Sequence, residues 1–130
     1  MHARQFRGLL TIAMLASAAA CARSARPGNE SSTLQGVTTA RITNNNWLDV
    51  NVYAARAGSR LRLGMVGGQN TEVFRLPRHF VDARGVQILI DPIGSPQSYQ
   101  TELISVAPGQ QIDVVVQQRI AMSHYSVFDR

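Results

Sequence analysis

The sequence predicts an all-β fold, a small antiparallel sandwich of seven to eight strands, and three observations carry that prediction. Short runs of alternating apolar and polar residues recur along the chain from position 37, as in Val50-Asn51-Val52 and Ile112-Asp113-Val114. Turn-forming clusters separate them: Asn44-Asn45-Asn46, Ala57-Gly58-Ser59, Gly67-Gly68-Gln69-Asn70, Pro92 through Pro96, and Pro108-Gly109. No segment shows a sustained helical period, and only Pro77–Arg84 has the composition for a helical turn.

The segment that precedes this pattern has a different character. Residues 1–20 run from a basic stretch with Arg4 and Arg7, through an apolar stretch Gly8–Met14, to small residues Ala16–Ala20. This order is that of a secretory signal peptide. Its apolar part is too short to span a membrane, which takes about 20 apolar residues. Cys21, the only cysteine of the chain, follows directly. The motif Ala18-Ala19-Ala20-Cys21 resembles the lipobox of bacterial lipoprotein signals, with Ala18 where that family most often has leucine. The resemblance implies an acylated Cys21, a membrane partner reached through the lipid, and, from Ala22, sorting to the outer membrane in a cell that has one. Cleavage after Ala20 by ordinary signal peptidase is the alternative, and it leaves a lone thiol on an exported protein, where it is prone to intermolecular oxidation.

Residues 21–36 are small and polar, without hydrophobic period, and read as a flexible tether. A tether of roughly fifteen residues spans some 20 Å on average. Residues 37–130 remain for one folded domain with one core. With residues 1–20 removed, Lys+Arg falls from 13 to 11 against 8 acidic residues, a net charge of +3, and every basic residue is arginine. So small a charge on an exported chain does not point to nucleic acid.

Strands are expected at Val37–Thr43, Leu48–Ala55, Arg60–Val66, Thr71–Leu76, Val86–Asp91, Tyr99–Val106, Gln111–Gln118 and Ser123–Phe128. Two consecutive hairpins joining the second, third and fourth would place Val52-Leu63-Phe74, Ala54-Leu61-Leu76 and Val50-Met65 inward. Ile88, Ile90, Ile104, Val106, Ile112, Val114 and Val116 would complete the core, with Pro108-Gly109 turning a closing hairpin. The same register sends Tyr53-Arg62-Arg75, Asn51-Gly64-Val73 and Asp49-Val66-Thr71 outward, with Trp47 on that outer side. The domain, through Asn45-Asn46-Trp47-Leu48-Asp49-Val50-Asn51-Val52-Tyr53 and Arg62-Leu63-Gly64, resembles the single-domain Ig-like sandwiches of small bacterial lipoproteins. That resemblance implies a fold and no activity.

Little in the sequence supports catalysis. His79 with Asp82 offers two ligands where a catalytic metal generally needs three. His124 lies between Ser123 and Ser126, with no Gly-x-Ser-x-Gly to expose a nucleophile. No pair of carboxylates is singled out by spacing, and Gly67-Gly68 lacks the following Lys-Ser of a phosphate cradle. Asn29-Glu30-Ser31 matches a glycosylation sequon without further support. The expectation is therefore a protein without enzyme activity, metal or cofactor. Its candidate binding face is Trp47, Tyr53, Arg62 and Arg75, where aromatic and guanidinium groups could meet an anionic envelope polymer, a lipid head group or a protein partner. An ordinary cross-strand stacking of Tyr53 with Arg62 is the competing reading, and a structural accessory subunit that pairs through a sheet edge is the alternative function.

Overall fold

The computed structural model describes residues 36–130. The expected signal peptide (1–20), Cys21 and the expected tether up to residue 35 lie outside the described residues. The described chain forms eight strands: β1 (Thr39–Asn44), β2 (Val50–Arg56), β3 (Ser59–Val66), β4 (Thr71–Arg75), β5 (Gln87–Pro92), β6 (Tyr99–Gln100), β7 (Gln111–Val116) and β8 (His124–Phe128). Two short 3-10 turns, Arg78–Phe80 and Ile120–Met122, interrupt them. The strands make two four-stranded sheets, ordered β4-β1-β7-β8 and β3-β2-β5-β6. This is the small β-sandwich that the alternation predicts. One ladder is parallel, β1 on β7, which the long connection between them permits.

The core is built by period two. Ala40 and Ile42 of β1 and Ile112, Val114 and Val116 of β7 meet Val50, Val52 and Ala54 of β2 and Ile88 and Ile90 of β5, all fully buried. Burying a side chain such as Ile42 or Ile88 contributes about 1.5–3 kcal/mol. Leu76, Phe80, Ile104, Val106 and Ile120 seal the margins. Of the expected strand Tyr99–Val106 only Tyr99–Gln100 forms a ladder with β5, because the Thr101 hydroxyl takes the Ile88 N–H (2.9 Å) and donates to the Glu102 carbonyl (2.8 Å). An isolated bridge, Val86 to Ile104, resumes the pairing beyond it.

Three register expectations are corrected. Ala57-Gly58 turns β2 into β3 with Ala55 opposite Arg60 and Tyr53 opposite Arg62, but Val52 lies opposite Gly64, leaving Leu63 as the extra residue of a bulge. Beyond the bulge the parity inverts, so Met65 faces outward (48% exposed) and Val66 is in the core. Leu61 lies opposite Ala54 yet remains 40% exposed on the edge strand β3. Second, β4 does not continue the hairpin: it crosses to the other sheet and pairs with β1, Thr39 opposite Arg75. Phe74 then reaches β3 across the open side of the sandwich, its ring so close to Gly64 that a Cβ there would lie 2.5 Å from Cε1. Third, Pro108-Gly109 joins strands of different sheets, and the closing hairpin is β7 with β8.

The far end of the sandwich, away from where the chain enters, is held by amides. Asn44 Nδ2 donates to the Leu48 (2.9 Å) and Gly67 (3.0 Å) carbonyls while its Oδ1 accepts the Asn46 N–H (3.0 Å). Asn46 Nδ2 donates to the Gln117 (3.2 Å) and Gln118 (2.9 Å) carbonyls. Asn44→Ala would leave several buried groups unpaired and is expected to lower stability by about 2–4 kcal/mol, read by chemical denaturation. Gly68→Ala would bring a Cβ within 2.3 Å of the Trp47 carbonyl oxygen and should cost about 1–3 kcal/mol in the same assay. Wild-type stability in both variants would contradict this account of the far end.

Candidate functional site

The predicted binding face is partly assembled. Tyr53 and Arg62 are register partners on the outer side of the β3-β2-β5-β6 sheet. The stacking, however, comes from Arg60, whose guanidinium carbon lies 4.2 Å from the Tyr53 ring centroid. Arg60 is the diagonal neighbour of Tyr53, a relation that cross-strand geometry favours for long side chains. Arg62 instead donates to Asn51 Oδ1 at 2.8 Å. Among the described residues no carboxylate pairs with either arginine. The result is a strip of one half-buried aromatic ring and two exposed cations on two strands.

Arg75 and Trp47 do not join that strip. Arg75 belongs to β4, in the other sheet, and is exposed at the end where the chain enters. Trp47 is 74% exposed on the far-end loop between β1 and β2. The expected row Tyr53-Arg62-Arg75 depends on β4 lying beside β3, and the crossing of β4 removes it, while Trp47 stands in the loop before β2 rather than on its outer face.

Two other surface features went unpredicted. At the far end, Asn45, Gln69, Gln117, Gln118, Arg119 and His124 line a shallow open cleft. At the entry end, Val37, Leu76, Pro77, Val81 and Pro108 line a groove of about 350 Å³ flanked by Arg75 and Arg78. The turn behind that groove is held by Arg56 of β2, which donates to Asp82 (2.6 Å) and to the His79 carbonyl and stands 5.3 Å from the Phe80 ring centroid. Nothing in sequence spacing links position 56 to positions 79–82.

The histidines are separated. His79 packs its ring on Phe80, centroids 4.5 Å apart. Asp82, its possible partner, gives its oxygens to Arg84 and Arg56. His124 lies at the opposite end. Among the described residues no three His, Cys, Asp or Glu side chains converge.

No family model and no curated protein matches the chain. A solved structure, "NMR structure of the protein from Eubacterium rectale", is similar at 16% identity and a TM-score of 0.41, covering 73% of this chain and 89% of that one. The fold assignment rests on the two sheets described above.

The hydrogen bond from the Arg84 side chain holds the Asp82 carboxyl below its ordinary value of 3.8, helped by the Arg84 N–H and the Arg56 charge and opposed by desolvation. A depressed folded value means that the pairing stabilises the turn above the unfolded value and is lost as pH falls through the folded one. Arg84→Gln is expected to move the Asp82 midpoint upward in a carboxyl-carbon NMR titration. An unmoved midpoint would reject the assignment of Arg84 as the main cause.

Proposed function

We propose that the chain is an exported protein, anchored to the cell envelope through acylated Cys21, whose sandwich is a non-catalytic interaction module. The observation that supports it best is the Tyr53, Arg60 and Arg62 strip. A stacked Arg60 is held at one place on the sheet, and Arg62 keeps N–H donors beyond the one given to Asn51. Guanidinium pairs on a rigid sheet suit carboxylate or phosphate groups spaced along an anionic envelope polymer, or on a protein partner. Neither His79 nor His124 stands in a constellation with the first requirements of catalysis.

A second reading, a structural accessory subunit that pairs through a sheet edge, is favoured by β3. It is an eight-residue edge strand with Leu61 and Met65 exposed. The Leu63 bulge works against it, since a bulge disrupts the row of unpaired backbone groups that an incoming strand would use.

The two readings separate under mutation. Arg60→Glu with Arg62→Glu is expected to abolish cosedimentation of the mature chain with purified anionic envelope polymer, while Leu61→Lys leaves it intact. Polymer binding retained by the folded Arg60/Arg62 double variant would reject the strip as the site. For the anchor, growth with a labelled fatty acid should tag the wild-type chain and not Cys21→Ala, and an unlabelled wild type would remove the lipid from this reading.

A further inference from the structure

Charge is distributed unevenly along the long axis of the sandwich. β1, β3, β5 and β7 begin at the end where the chain enters, and β2, β4 and β8 finish there. That topology gathers Arg56, Arg60, Arg75, Arg78, Arg84 and Arg130 at the entry end, against Asp82, Glu102 and Asp129. The far end has Arg119 alone, against Asp49, Glu72 and Asp91.

The entry-end arginines are not equivalent. Arg56 and Arg84 share Asp82, and Arg130 donates to Gln111. Arg75 and Arg78 are exposed and, among the described residues, have no carboxylate partner. They flank the apolar groove of Val37, Leu76, Pro77, Val81 and Pro108. Val37 and Phe128, 52% and 51% exposed, add apolar surface at the same end.

We infer that the entry end of the domain, centred on Arg75 and Arg78, docks on an anionic phospholipid surface, with the two guanidinium groups on headgroup phosphates and the intervening groove against the interfacial region. The inference deepens the anchored reading given above. On that reading a tether of roughly fifteen residues would hold the domain within about 20 Å of the bilayer, where the attraction between basic side chains and an anionic surface acts at close range. The strip of Tyr53, Arg60 and Arg62 would then stand on the flank of the docked domain and the cleft around Gln69 and Gln118 would point away from the membrane.

The test uses the mature chain from residue 21 with Cys21→Ser, so that no acyl group contributes. It should sediment with vesicles of mixed phosphatidylglycerol and phosphatidylcholine, fail to do so with phosphatidylcholine alone, and be released by about 0.5 M salt. Arg75→Glu with Arg78→Glu should weaken binding about 30-fold or more, as expected from the contribution of each arginine near an anionic surface. Arg119→Glu, at the far end, should bind as the parent does, and circular dichroism of each variant reports retention of the sheet. Equal sedimentation with both vesicle types, parental binding by a folded Arg75/Arg78 double variant, or an equal loss in Arg119→Glu would overturn the inference. Because the assay lacks the lipid, failure of acylation at Cys21 and failure of docking give separate results.

Discussion

The far end of the sandwich depends on one fully buried amide. Asn44 closes β1 and in the same place satisfies carbonyls of the loop into β2 and of the turn out of β3, while its oxygen takes the N–H of Asn46. The Asn46 N–H is buried and the Leu48 and Gly67 carbonyls partly so, and leaving them unpaired would cost about as much as a lost hydrogen bond. Asn46 extends the arrangement to the carbonyls that end β7, so two adjacent side chains join loops from both sheets. The hydrophobic core supplies the larger free energy, yet it is indifferent to how the strands are connected. The amides are specific, and they set where β1 stops and where β3 turns away.

Much of the fold was legible because strand alternation is a local property. Val50, Val52 and Ala54, Ile88 and Ile90, and Ile112, Val114 and Val116 point inward as their spacing requires. What the spacing could not show is where one residue is inserted. The bulge at Leu63 exchanges the fates of Met65 and Val66, and both are apolar enough that hydropathy does not tell them apart. The crossing of β4 was equally hidden. A four-residue loop such as Gly67–Asn70 can close a hairpin or lead to the opposite sheet, and here Asn70 gives its carbonyl to the N–H of Asn44 and commits β4 to β1.

The binding face followed the same division. Tyr53 and Arg62 share a side because they lie before the bulge, counted from the Ala57-Gly58 turn, where the hairpin register is undisturbed. Arg75 and Trp47 lie beyond the first break in that register, and both are elsewhere. Arg60, which does stack on Tyr53, is its diagonal neighbour, and a register of directly opposite residues does not single it out. The polarity of the molecule was invisible for a different reason. Its basic end is assembled from positions 56 to 130, and only the strand directions bring them to one level.

The parallel ladder between β1 and β7 has a consequence for the order of folding. The first strand rests between β4 and β7, so its neighbours are made some thirty and seventy positions later in the chain. Until Gln111–Val116 has emerged, Ala40 and Ile42 have only one flank covered and the sheet that contains them lacks its centre. Such non-local topology folds slowly relative to local hairpins, because the loop must close before the contact rewards it. The domain therefore becomes compact only when its last hairpin is in place, and a chain cut short before Gln111 would hold β1 without its second neighbour.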